Sequence, residues 1–165
     1  MVRYPLEYNQ ILNRTKYNTF GPVRKNKDGS VRFHKGWDFV APMWTPVYPV
    51  ATGKVVGVTP YDKEGSKYGI TVTLKFKEQG NTYWAFYAHL AGVAVSVGDE
   101  IASTGTILGF VGDSGNSKGI KASSVHLHFE FRNRELGGNG TTDRIDPVQF
   151  YGDPPYDGLY YIDDE

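Results

Sequence analysis

Apolar and polar positions along the chain fall in the pattern of short β-strands. Thr71-Val72-Thr73-Leu74-Lys75-Phe76 alternates polar with apolar residues, as a strand with one wet face does. The same reading predicts strands over residues 31–40, 47–58, 70–77, 82–89, 107–112 and 125–132, separated by Gly, Pro and Asp. Glu78-Gln79-Gly80-Asn81 is a hairpin turn and Gly98-Asp99 a second tight turn. No stretch of a dozen residues carries a period of 3.6, which limits helix to a turn or two near residues 6–12 and after Pro147. The pattern therefore predicts one all-β domain of mainly antiparallel sheets. Residues 1–30, polar and turn-rich with an exposed hairpin loop at 25–30, are expected to pack on a body at 31–150. Residues 151–165 form an acidic tail rich in Tyr and Pro, expected along the surface or partly disordered.

Composition narrows the chemistry. At 165 residues the chain has length for one real core, and 20 Gly with 12 Tyr suits a β-rich domain with many turns. Formal net charge is zero, which argues against a nucleic-acid partner, since neutralising phosphates takes a basic excess. The absence of cysteine excludes disulfides and thiolate metal sites, leaving His and carboxylate as strong zinc ligands. Met1 to Gln10 shows neither an apolar leader core nor a cleavage site, and no run is long enough to span a bilayer.

The chain has four histidines, and their settings are suggestive. His34 and Asp38 lie four apart in Phe33-His34-Lys35-Gly36-Trp37-Asp38-Phe39, on one face of a strand. Four residues of straight strand span about 13 Å, so both can reach one ion only if the chain bends, and Gly36 offers the bend. His126 and His128 alternate with Val125, Leu127, Phe129 and Phe131, which puts both imidazoles on one face. About 7 Å apart along a strand, they do not easily share one metal, but one can bind it while its neighbour faces the bound water. His89 closes the strand at 82–89. Any one of these alone is more often an ordinary half-buried histidine; their conjunction is what favours a metal site.

At these residues the chain resembles the lysostaphin/LytM-type zinc metallopeptidases, which cut peptides of bacterial peptidoglycan. His34-Lys35-Gly36-Trp37-Asp38 is similar to that family's H-x-G-x-D block, and Thr45-Pro46-Val47 and Ala51-Thr52-Gly53-Lys54-Val55 resemble the stretches that follow it. Tyr87-Ala88-His89-Leu90 resembles its Y-x-H-L, His126-Leu127-His128-Phe129-Glu130 its H-L-H-F-E, and Asp146-Pro147 its closing D-P pair. The resemblance runs over residues 20 to about 150 and uses every histidine. One departure is an extra segment, Ile120-Lys121-Ala122-Ser123-Ser124-Val125, before the last block; it is expected to reshape one wall of the groove.

The resemblance implies a lysostaphin-like (duplicated hybrid motif) fold with a zinc-bearing groove. It implies one Zn²⁺ held by His34, Asp38 and His128, with His89 and His126 flanking the activated water as acid, base or oxyanion stabiliser, their order left open. The implied substrate is a peptidoglycan stem or cross-bridge peptide, and the implied place of action the periplasm or extracellular wall. A chain without a leader is then expected to derive from a longer exported protein or to be delivered by a phage or secretion system, as an antibacterial effector with an immunity partner. The alternative, a non-catalytic module that binds wall or activates another hydrolase, is expected to lose one or more of the five polar positions. Other candidates are weaker. Trp44, Trp84, Tyr61 and Tyr68 are groove aromatics or ordinary packing; Asn18 borders the site or caps a loop; Glu130 supports the histidines or pairs with Arg132 or Arg134.

Overall fold

In the computed structural model, residues 2–135 and 141–162 are described. The last three acidic residues of the tail, 163–165, therefore lie outside the described residues. Thirteen strands are present among the described residues: β1 (Tyr8–Asn9), β2 (Gly21–Lys25), β3 (Val31–His34), β4 (Trp37–Val40), β5 (Pro46–Val47), β6 (Gly53–Thr59), β7 (Ile70–Glu78), β8 (Asn81–Val93), β9 (Glu100–Ile101), β10 (Gly109–Val111), β11 (His126–Arg132), β12 (Arg144–Ile145) and β13 (Leu159–Tyr160). The longest helix among the described residues, α1 (Val148–Tyr151), follows Pro147. The other expected helical turn lies slightly later than residues 6–12, at Leu12–Arg14 and Lys16–Asn18. Asn9 prevents an earlier start: its side chain bonds both the N–H and the carbonyl of Leu6, closing a local turn instead.

Nine strands form one sheet in the order β12-β11-β8-β7-β6-β9, with β4 on the free edge of β11 and β10 bridging β8 and β5. Every pairing is antiparallel. Val72, Leu74 and Phe76 of β7 point into the core as alternation requires, but Thr71 and Thr73 on the face expected to be wet are also buried, so only the end of that face, from Lys75, meets solvent. On β11, Leu127, Phe129 and Phe131 are fully buried and pack with Trp37, Phe39 and Tyr87. Such a core fixes the register of β11, because a one-residue slip would carry its histidines into the apolar side.

Two predicted strands are each broken in two. The run over 31–40 splits at Lys35-Gly36 into β3 and β4, and the run over 47–58 splits after Val47, where Pro49 cannot join a ladder. Gly36 packs so tightly on the Phe129 carbonyl that no side chain fits there. The polar start supplies the β2–β3 hairpin and buries Val2, Leu6, Ile11 and Leu12. β13 pairs with β1 on the surface, with Tyr8 against Tyr160.

Candidate metal centre

Three neighbouring segments bring the candidate residues together. His128 on β11 stands directly opposite Asp38 on β4 and Ala88 on β8. The break at Gly36 turns His34 back toward Asp38, so that its Nε2 lies 3.3 Å from Asp38 Oδ2. His128 Nδ1 lies 2.9 Å from Asp38 Oδ1, and one ligand atom from each of the three residues falls within a 4.8 Å group. Asp38, His34 and His128 are all buried.

His89 reaches the same place by a different route. It sits at φ 60°, in the left-handed region that a non-glycine residue occupies only when its surroundings impose it. Those surroundings are a loop crossing: the His89 N–H donates to the Tyr68 carbonyl at 2.8 Å, and its Nδ1 donates to the Ser114 carbonyl at 2.8 Å. The two loops can cross so closely because Gly69 and Gly115 meet backbone to backbone at positive φ. The His89 ring then lies 5.4 Å from that of His126 and 5.9 Å from that of His128.

The orientation of the rings is suited to a cation. His34 Nδ1 donates to the Thr19 carbonyl at 2.7 Å, and His126 Nδ1 to the Ser124 carbonyl at 2.9 Å. Those bonds fix the tautomers and leave the Nε2 lone pairs of His34, His89 and His126 facing inward. His128 is reversed: its Nε2 donates to Glu130 Oε2 at 2.7 Å, so Nδ1 is its inward atom. His34 Nε2 therefore faces a carboxylate oxygen at 3.3 Å, a pair that is satisfied by a proton or a metal ion between them. Two imidazoles and a carboxylate, with no thiolate, fit a zinc site that keeps an open position.

Electrostatics follow from burial and these contacts. Burial alone would raise the Asp38 pKa, but His34 and His128 outweigh it and hold the carboxyl well below its usual range. Burial lowers the pKa of His89 to about 4, helped by the charges of His128 and His126. For His128 burial also disfavours charge, yet the hydrogen bonds to Asp38 and Glu130 win and raise its pKa to about 9. Glu130, fully buried, is held low against its own desolvation by His128, Arg132 and Arg144. Its Oε1 accepts from Arg132 Nε at 2.8 Å and Arg144 Nε at 3.0 Å. Glu130 thus both supports His128 and pairs with Arg132; its second arginine is Arg144 and not Arg134.

These shifts set a pH dependence for the metal-free protein. The stabilisation tied to charged His128 is complete below the ordinary value of 6.5 and is lost as pH rises through about 9. That tied to Asp38 and Glu130 is complete above their ordinary values of 3.8 and 4.5 and is lost as pH falls further. Thermal melts of chelator-treated protein should therefore peak between about pH 5 and 7 and decline on both sides. Zinc should flatten the alkaline limb by taking the place of the His128 proton. A midpoint for metal-free protein that stays level from pH 6 to 10 would refute this.

The candidates open onto a cleft of about 440 Å³. Of the four aromatics, only Tyr68 lines it, stacked on His128 at 5.6 Å. Trp44 packs against Phe110, Tyr61 stands in solvent, and Trp84 pairs with Lys75 across the sheet. Asn18 borders the cleft, and Ile120 and Ser124 bring the extra segment into its wall. Arg24 is a residue the sequence reading did not single out. It bonds Asp38 Oδ2 at 3.1 Å and Asn18 Oδ1 at 3.0 Å, and stacks on Tyr17. Nothing in its polar hairpin setting marks it, because its partner lies across a turn, fourteen residues on.

Residues 32–147 match the model of peptidase family M23. The chain belongs to that family. Among named relatives, it is 27% identical over 148 residues to the peptidoglycan DD-endopeptidase ShyC of Vibrio cholerae, covering 90% of this chain and 30% of ShyC. A crystal structure of a zinc containing peptidase from Vibrio cholerae is similar at 31% identity and TM-score 0.60, over 82% of this chain and 39% of that one. The catalytic domain of lysostaphin from Staphylococcus simulans is similar at 28% identity and TM-score 0.59, over 80% and 87%. The chain spans less than a third of the length of ShyC and of the full lysostaphin sequence, so these M23 relatives are longer proteins that share one domain with it.

Proposed function

We propose that this M23 domain is a zinc-dependent endopeptidase acting on stem or cross-bridge peptides of peptidoglycan, outside the cytoplasmic membrane. The observation that carries the reading is the convergence of His34 Nε2, Asp38 and His128 Nδ1, with both imidazoles held by a hydrogen bond that leaves the other ring nitrogen facing inward. These three would hold the ion. When bound, Zn²⁺ supplies a Lewis acid and a water acidic enough to react near neutral pH. The names of the relatives support the substrate class. All five polar positions are retained and face one cleft, which favours the enzyme over a non-catalytic wall-binding module.

The remaining steps belong to the chain's own residues. Among the described residues no carboxylate pairs with His89, and burial keeps its ring neutral, so it takes the proton from the attacking water. His126 Nε2 also faces the cleft, 3.8 Å from Asp38 Oδ1. In its protonated form it would donate to the developing oxyanion and then to the leaving amine. Tyr68 stacks on His128 and covers that face of its ring.

Purified protein should carry about one Zn²⁺ per chain by elemental analysis. It should release new amino termini from cross-linked muropeptides, read by mass spectrometry, and a chelator should stop it. Intact muropeptides from several wall types after digestion by zinc-loaded protein would refute the reading.

A further inference from the structure

His89 is oriented through a residue that takes no part in the proposed chemistry. Ser114 is buried, and its carbonyl accepts from His89 Nδ1 at 2.8 Å. Its hydroxyl makes two further bonds, donating to the Leu90 carbonyl at 2.6 Å and accepting from the Ile70 N–H at 2.9 Å. One residue thus grips the His89 ring, the carbonyl of the residue that follows it, and the start of β7. Held at three points, the Ser114 carbonyl has little freedom to turn away from the ring.

A second support stands behind the first. The Gly115 N–H donates to Asp62 Oδ1 at 3.0 Å, and the Asn116 N–H to the Lys67 carbonyl at 3.0 Å. Asp62 Oδ2 also faces Lys118 Nζ at 3.4 Å, but that lysine side chain is 76% exposed, so the ion pair contributes little. The hydrogen bond to Gly115 is the contact by which Asp62 steadies the loop. A neutral imidazole carries its proton on one nitrogen or the other, and a fixed acceptor beside Nδ1 decides which. With that acceptor displaced, a fraction of His89 would carry the proton on Nε2 and could not take another from water.

We infer that Ser114 and Asp62 are positioning residues for His89: Asp62 holds the loop, Ser114 holds the ring, and together they keep Nε2 as its bare nitrogen. Neither belongs to the group of reacting side chains. The inference rests on the reading of His89 as proton acceptor and adds the residues that prepare it for that role.

Nitrogen-15 shifts of the two His89 ring atoms report the tautomer directly. They would be read on metal-free protein at about pH 8, above the ordinary histidine pKa of about 6.5. Native protein should carry the proton on Nδ1 alone. Ser114→Ala and Asp62→Ala should each share it between both nitrogens. Zinc-loaded, each should cleave muropeptides with kcat lowered about 10–100-fold at unchanged KM and metal content. Asp62→Asn keeps an oxygen for the Gly115 N–H and should recover the single tautomer and most of the rate. Lys118→Met breaks only the exposed ion pair and should change neither. Asp62 is partly exposed on the segment joining β6 to β7, so its variants decide the matter even where Ser114→Ala fails to fold. A single Nδ1–H tautomer in Asp62→Ala would overturn the inference whatever the rate, because any loss would then be structural. A shared proton with native kcat would overturn it too. Because the ring signals need neither zinc nor substrate, the expected tautomers in a chain that cleaves no muropeptide would uphold the brace and overturn the peptidase reading instead.

Discussion

Asp38→Ala and His128→Ala should each leave protein that neither retains zinc through dialysis nor cleaves muropeptides above the rate of chelator-treated native protein. Each change removes one of three donors, and two cannot hold the ion with useful affinity. Asp38→Ala should also be the more destabilising. It strips a buried anion from Arg24, His34 and His128 and leaves cationic groups without their partner, a loss of about 3–5 kcal/mol. Glu130→Gln is the informative contrast, because it keeps every donor and weakens the grip on His128 Nε2, along with the pairing to Arg132 and Arg144. Its zinc affinity should fall about 10–100-fold, with activity recovered at excess zinc. Metal content and melting midpoint, measured together, check all three. Stoichiometric zinc in His128→Ala would mean that the ligands are wrongly assigned.

His89→Ala and His126→Ala should behave in the opposite way. Both should bind zinc near stoichiometrically, since neither belongs to the three-residue donor group. Each should lose about 10²–10⁴ in kcat, the usual worth of a positioned acid or base. The pH profiles should differ as well. If His89 is the proton acceptor, its removal abolishes the acid limb of the rate profile, whereas loss of His126 leaves that limb in place. Zinc lost from His126→Ala but kept in His128→Ala would show that the order of the H-x-H pair is reversed.

The sequence carried much of this because the local signals were strong. Alternation in β7 and β11 specified strands, and two histidines two apart had to share a face. The need for a bend between His34 and Asp38 followed from strand geometry alone, and the structure breaks the strand at that place. What stayed hidden depended on partners distant in the chain. Arg24 meets Asp38 across a hairpin, Arg144 meets Glu130 from another strand, and His89 owes its unusual backbone to a crossing of loops near residues 68 and 114. Burial of Thr71 and Thr73 was likewise not legible, because alternation says which residues share a face and not what covers it. The groove aromatics show the same limit: Tyr68 and Trp44 look alike in sequence, and only one of them lies by the histidines.

His128 stands in register with Asp38, ninety residues earlier, and with Ala88 on its other side. The donor set therefore exists only once β11 has inserted between β4 and β8, and strand pairings so remote in sequence are among the slow events of folding. A chain in which those strands have not yet paired has scattered histidines and no place to gather an ion. Activity should thus appear late and all at once, together with the metal. During synthesis or transport in an unfolded state, the protein would be inert toward any peptide it met. The order of its own folding would then act as a delay.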